Sequence, residues 1–376
     1  MDLYQNRTRT IQVRNRFIGA GQPIFLTAEI GAAHNGDVEK ARVMIEAAAK
    51  AGCDGADIFM ASPEDYMWTG DFGRGHGFDI MEAWRKLAFT EEQWAELLEL
   101  GKKHDIIVYP TPLDLVSVER CRRLGVEMMN INSDDVNNPF LLKAAASLGV
   151  PLTLHDINIS ITEMVNAVKT LQEAGNRDII VLHSTREGSG EDNLFATADL
   201  EVINTYRQIF GATGVLAGCV EHTTSDFLIY AVAALQPALI SRHIQICAED
   251  NPADAGMSVD VPFLSEMIKK VRHVERAMGC GNTRLVMGDV PKEIAANTAR
   301  RKVLVAAKDI PRGKRIAESD LNAKRPGHRG GVNPMAYIHI VGSIAKADIP
   351  ADSVLKFEMF DELQEAPYKY PAMDRA

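Results

Sequence analysis

Residues 151–184 read PLTLHDINISITEMVNAVKTLQEAGNRDIIVLHS: a short apolar run (Pro151–Asp156), an amphipathic stretch at about 160–174, and a second apolar run (Asp178–Ser184). Two parallel strands need a crossover of a dozen or more residues, and a helix supplies it, so this stretch is one strand–helix–strand unit. The alternation extends in both directions, from residue 24 to 278. Strands are expected at Ile24–Gly31, Gly55–Met60, Asp105–Pro112, Val126–Ser133, Gly214–His222 and Leu239–Ile246 as well. Helical patterns follow the eight runs at about 37–51, 91–104, 115–123, 138–148, 160–174, 197–210, 224–235 and 261–278. Eight such units predict an α/β fold, a closed (β/α)8 TIM barrel.

The chain has 376 residues, enough for a barrel of about 250 plus one small module. The barrel domain is expected over 1–279. It includes the alternating segment Arg9–Ala20 (RTIQVRNRFIGA), which reads as a hairpin plugging the barrel bottom or as an edge ribbon. Small and polar residues make 280–300 a linker. Residues 301–362, punctuated by Pro311-Arg312-Gly313 and Arg325-Pro326-Gly327, form a compact β-rich module, and 363–376 a loosely ordered tail. A core of about 60 residues is marginal alone, so the module is expected to dock on something.

Hydrophobic residues make up 46% and charged residues 24%, the balance of a globular protein rather than a disordered or fibrous one. The net charge of −10 offers no basic field for nucleic acid. No apolar run approaches the ~20 residues of a membrane span, and the polar start Met1 to Arg16 lacks a signal-peptide core, so the chain reads as cytoplasmic. Five widely spaced cysteines, at 53, 121, 219, 247 and 280, include no CxxC pair and read as reduced thiols.

Catalytic groups of a parallel barrel come from the C-terminal strand ends and the loops after them. Those positions carry Glu29, His34 and Asn35; Asp57; Thr111; Asn130, Ser133 and Asp135; His155 and Asp156; His183 and Arg186; Glu221 and His222; Arg242 and His243. One histidine after an apolar strand is more often a structural residue than a ligand. Four at one mouth reverse those odds and, with carboxylates, suit divalent zinc, manganese, iron or cobalt. His222 and His243, on adjacent strands, are the first metal pair expected.

Several runs resemble the sialic acid synthase (N-acetylneuraminate synthase) family, with its pseudaminic and legionaminic acid counterparts. RFIG (16–19) and AEIGAAHNGD (28–37) are similar to the family's opening, where AEIGxNHNGD is usual. YPTPLD (109–114) is similar to its STPFD, LHS (182–184) to LHC, EHT (221–223) to DHT, and RHI (242–244) to KHF. KRPG (324–327) resembles the hallmark of its C-terminal antifreeze-like (SAF) domain. The resemblance implies condensation of phosphoenolpyruvate with an N-acylated amino sugar at a divalent metal (manganese, magnesium, cobalt or zinc) held by His222 and His243. It implies that Glu29 and Asn35 contact the sugar or the metal's water, with Asp254 near the sugar. Thr111, Ser133 and Asn193 fall on family pocket positions. A homodimer is implied, in which the swapped SAF domain brings Arg325 into the partner's site.

The chain departs from the family where phosphate is held. A lysine in VKFQ is replaced in ADIF (56–59) by Asp57, and a lysine in KIASGE by Asn130. Serines are replaced by His155 and Val220, and a glutamate by Ser241. Exchanging lysine for Asp57 reverses a charge against a ligand of about three negative charges. Arg74, His76, Arg186, Arg242, His328 and Arg329 are candidate replacements.

Three readings follow. In the first the chain is a family-type synthase, with Glu29 positioning or deprotonating water and Asp135 assisting. In the second, the same metal site performs aldolase, lyase or isomerase chemistry on a sugar or hydroxy acid without phosphoenolpyruvate, with Asp57, His155, Asp156 and His183 as added acid, base or substrate-binding groups. In the third the chain is a non-catalytic sugar-binding protein.

Overall fold

The structure is a computed structural model describing residues 9–68, 80–185, 195, 197–223, 225–247, 255–278, 302–326 and 331–365. Strands β1 (Thr10–Val13) and β2 (Arg16–Gly19) form an antiparallel hairpin. Its Ile11, Val13 and Ile18 are buried in one cluster with Phe25, Ile107, Leu216 and Leu239, all at or next to barrel-strand starts. The hairpin therefore closes the bottom of the barrel, the first of the two roles open to it from sequence.

The eight barrel strands are β3 (Phe25–Gly31), β4 (Gly55–Met60), β5 (Ile107–Pro112), β6 (Met129–Ile131), β7 (Leu152–His155), β8 (Ile179–Ser184), β9 (Leu216–Glu221) and β10 (Leu239–Gln245). All are parallel in the order β5-β4-β3-β10-β9-β8-β7-β6. Their residues are buried almost without exception, because hairpin and side chains fill the inside while helices cover the outside. No ladder joins β5 to β6. At that seam a side-chain bond, Asn130 Nδ2 to Thr111 Oγ1 at 2.9 Å, crosses from one strand to the other.

The outer layer holds α1 (Val38–Ala51), α2 (Pro63–Tyr66), α3 (Ile80–Leu87), α4 (Glu91–Lys103), α5 (Leu115–Leu124), α6 (Pro139–Ala146), α7 (Ile161–Glu173), α8 (Val202–Phe210), α9 (Leu228–Ala234) and α10 (Val261–Met278). In α7, Met164, Ala167, Val168 and Leu171 are buried, one stripe at i, i+3, i+4 and i+7. A capping box starts this helix: Ser160 Oγ accepts from Glu163 N, and the Glu163 carboxylate accepts from Ser160 N. Inside the barrel Gly218 of β9 leaves no room for a side chain, since an added Cβ would stand 2.4 Å from Leu182 and 2.7 Å from the Leu239 carbonyl.

Several elements differ from expectation. Most are one to five residues shorter at an end, where capping groups rather than periodicity decide the boundary. Helices α2 and α3, between β4 and α4, were not expected. Ser133–Asp135 form a 3-10 turn after β6 instead of ending the strand. A short β11 (Val259–Asp260) extends beside β10.

The chain divides into two units, Met1–Gly281 and Asn282–Ala376. In the second, β12 (Val303–Ala306) pairs with β13 (Leu321–Lys324), and β14 (Ile344–Ala345) with β15 (Phe360–Asp361). Leu304, Ile310, Ile316, Ile340, Leu355 and Phe360 make its core. Much of its length lies in turns and 3-10 segments rather than strands. The expected linker 280–300 and most of the expected tail lie outside the described residues.

Candidate metal centre

Strand parity sets the centre. On a strand successive side chains face opposite ways, so register across parallel neighbours decides which inward groups meet. β10 aligns His243 with Glu29 of β3, and β3 aligns Glu29 with Asp57 of β4. All three are buried at the C-terminal end of the barrel, with His155 from β7 and His222 just after β9.

Two sets of donor atoms fall within 4.8 Å of one another: Glu29, His222 and His243, and Glu29, Asp57 and His155. Glu29 belongs to both. His243 Nε2 lies 3.3 Å from Glu29 Oε1, and Ser241 Oγ donates to Glu29 Oε2 at 2.9 Å. The rings of His222 and His243 have centroids 5.0 Å apart, and those of His155 and His222 6.5 Å. The backbone N–H of His222 donates to Thr185 Oγ1 at 2.9 Å, which fixes where that side chain starts.

Asp57 is held by a chain of polar groups. Thr111 Oγ1 donates to its Oδ1 at 2.6 Å and Asn130 Nδ2 to its Oδ2 at 3.2 Å, while Thr153 Oγ1 donates to Asn130 Oδ1 at 2.7 Å. Burial, and next the charge of Glu29, push the Asp57 carboxyl well above the usual range. Burial, and next His243, lower His155 to about 4, so its imidazole is neutral with a lone pair at physiological pH. In the turn after β6, burial raises Asp135 to about 6; its Oδ1 accepts from Asn138, and its buried Oδ2 has no partner among the described residues. Ser133 is buried beside it.

Three of the four strand-end histidines come together; His183 does not. Its ring sits on the opposite face of β8, with Nδ1 2.9 Å from Asp156 Oδ2 and Nε2 2.8 Å from the Ala198 carbonyl. Asp156 also accepts from Tyr206 Oη at 2.7 Å and Ser184 N at 2.7 Å. Burial opposes charge on Asp156, but these bonds hold its carboxyl below the usual range, while burial opposes and Asp156 raises His183. Arg242 likewise faces away from the centre. It pairs with fully buried Glu221 and donates to the Glu221 carbonyl at 2.9 Å. Parity carried this distinction in the sequence: His222 and Glu221 are consecutive, as are His243 and Arg242, so one of each pair must face out. Ser241 and Thr153, which orient Glu29 and Asn130, were not singled out for those roles.

Asn35 is exposed in a turn at φ 52, and Arg325 is exposed at the end of β13. Arg186, Asn193 and Asp254 lie outside the described residues, as do Arg74, His76, His328 and Arg329. Of the cysteines, Cys53, Cys121 and Cys219 are buried free thiols, and burial raises Cys121 to about 12.

The model of the NeuB family matches residues 44–283, which hold most of these donors. The chain belongs to the NeuB family. A SAF domain model matches residues 301–361 of this NeuB-family chain. It is 27% identical to human N-acetylneuraminate-9-phosphate synthase over 92% of the chain and 95% of that protein. It is 26% identical to the N,N'-diacetyllegionaminic acid synthase of Campylobacter jejuni over 88% of the chain and 98% of that protein. A solved spore coat polysaccharide biosynthesis protein E of Chromobacterium violaceum has the same fold, with a TM-score of 0.73 at 19% identity over 90% of this chain and all of that one. Among the described residues, no helix is long and apolar enough to cross a membrane.

Proposed function

We propose that this chain is a sialic acid synthase-like enzyme that works on a carbon–carbon bond beside a sugar carbonyl, using a divalent cation held by Glu29, His222 and His243. The observation that carries this reading is the buried Glu29–His222–His243 set, with donors within 4.8 Å of one another. Two imidazoles and a carboxylate suit manganese, cobalt, zinc or iron, and tolerate magnesium less well. A cation bound there polarises a carbonyl and stabilises charge building on its oxygen. Glu29, gripped by Ser241, orients the group beside it. Asp135, raised to about 6, is a second acid near working pH.

In the finer form of this reading the carbon nucleophile is phosphoenolpyruvate and the acceptor an N-acylated amino sugar. A second reading, aldolase, lyase or isomerase chemistry on a sugar or hydroxy acid, is favoured by Asp57. Among the described barrel strands the only lysine or arginine is Arg242, which faces out to Glu221, so the inward face offers a trianion no strand-borne cation. Phosphate release from phosphoenolpyruvate with N-acetylmannosamine and related sugars decides between them. Release only in the presence of a particular sugar supports the synthase. A metal-loaded protein that neither binds nor turns over phosphoenolpyruvate supports the second reading, and no turnover of any sugar or hydroxy acid with several metals leaves a sugar-binding protein. A homodimer, with Arg325 of one chain serving the other's site, is proposed on the family resemblance; light scattering and an Arg325→Ala variant test it.

A further inference from the structure

We propose that the barrel mouth holds two divalent cations per chain, one on Glu29, His222 and His243 and the other on Glu29, Asp57 and His155. The inference rests on the proposed function for its first ion and adds the second.

Glu29 stands between two donor sets. On one side its Oε1 is 3.3 Å from His243 Nε2; on the other, its strand neighbour in register is Asp57. In each set all donor atoms lie within 4.8 Å of one another. Ligands about 2.1 Å from a common ion stand roughly 3 to 4 Å apart, so each set needs only a small contraction. A carboxylate shared by two ions is the usual bridge of two-metal sites, whose ions lie about 3.5–4 Å apart.

His155 is an independent sign of a ligand. Its side chain is 4% exposed, and among the described residues no hydrogen bond reaches its ring. The ring stands in the same donor set as Asp57, where a cation is a partner for its lone pair.

Asp57 is oriented as a ligand would be. Thr111 and Asn130 each donate one hydrogen bond, one to each oxygen, and Thr153 holds Asn130 in turn. A carboxylate has about four lone-pair sites, so two remain for an ion. Such outer bonds commonly fix metal-binding carboxylates.

Charge argues the same way. Glu29 and Asp57 bring two buried carboxyls to the mouth, with no lysine or arginine on the inward face of the described strands. One divalent ion only neutralises the pair if both are ionised. Two make the mouth cationic, which suits a substrate carrying a carboxylate or phosphate. The second ion then takes the place of side-chain cations at positions 57 and 130.

The test is metal counting on the full-length protein, stripped with chelator and reloaded with manganese alone. Mass spectrometry should find two manganese ions per chain, with an electron paramagnetic resonance spectrum of a spin-coupled pair. Asp57→Asn and His155→Ala should each fall to one ion with the six-line signal of isolated manganese, and His222→Ala should also keep one. A single ion in the wild type overturns the second site and leaves the proposed function standing; no ion overturns both. Two ions that persist in both Asp57→Asn and His155→Ala, with folding checked by circular dichroism, also overturn it. If one of these variants does not fold, the wild-type count and the other variant decide.

Discussion

His243 reaches Glu29 Oε1 at 3.3 Å while Ser241, two residues earlier on the same face of β10, donates to Glu29 Oε2 at 2.9 Å. One strand thus grips both oxygens of a carboxylate on its neighbour. The in-register pairs Ser241↔Thr27 and His243↔Glu29 make that possible, because a one-residue slip would turn both donors toward the helices.

Ser241→Ala should therefore loosen the cation without unfolding the barrel. Loss of an outer-sphere partner typically costs 10- to 100-fold in metal affinity, and that is the expected rise in manganese Kd by calorimetry. An unchanged Kd would remove Glu29 from the ligand set.

Removing His222 and removing His183 should have opposite consequences. His222→Ala should lose one ion per chain by mass spectrometry. His183→Ala should keep its ions, because that ring serves Asp156 and the Ala198 carbonyl behind the strand. Its cost should appear as about 1–3 kcal/mol of stability in urea unfolding, the usual result of leaving buried polar partners unsatisfied. Metal loss from His183→Ala would contradict this placement.

The same parity gives a prediction behind β9 and β10. Glu221 is fully buried, paired with Arg242, and accepts from Thr223 N at 2.9 Å. Removing one partner of a buried ion pair strands the other charge, so Arg242→Met should cost about 3–5 kcal/mol in urea unfolding. Replacing both residues with apolar ones of similar volume should recover much of that loss. If Arg242→Met alone is as stable as wild type, the pair adds nothing to the fold.

The barrel was legible because each strand–helix unit repeats one pattern, and a chain-wide resemblance carried the same motifs. The convergence of Glu29, His222 and His243 is legible too, since strand ends face one mouth. His183 lies behind its strand for a specific reason: a strand-end position alone does not distinguish inward from outward, and the alternation Leu182, His183, Ser184 turns the imidazole to the helix side. Ser241 and Thr153 were invisible as positioning groups because hydroxyls on strands acquire a role only when register places a partner opposite. Ser133 is expected at the end of a strand that stops earlier, at Ile131, before the turn that holds it and Asp135.

His34 supplies the pH dependence. Its ring is 1% exposed, 4.3 Å from Phe89 between centroids, and its Nδ1 accepts from Gly36 N at 3.0 Å. Burial, and next Lys40, lower it from 6.5 to about 4. Between those values the unfolded chain binds a proton that the folded chain refuses, so stability rises with pH there. The contribution is fully present above about 6.5 and is lost as pH falls toward 4. At about 1.4 kcal/mol per unit, the loss for this one group is roughly 3 kcal/mol. Urea unfolding of metal-free protein at pH 7, 6, 5 and 4.5 should show the midpoint falling, and less steeply in His34→Gln, which carries no titrating ring. Parallel curves for the two proteins would mean that His34 takes up its proton in the folded state near the ordinary value. The contact with Phe89 and the Gly36 N–H bond would then have to yield without cost, and the turn they hold after β3 would be looser than its burial indicates.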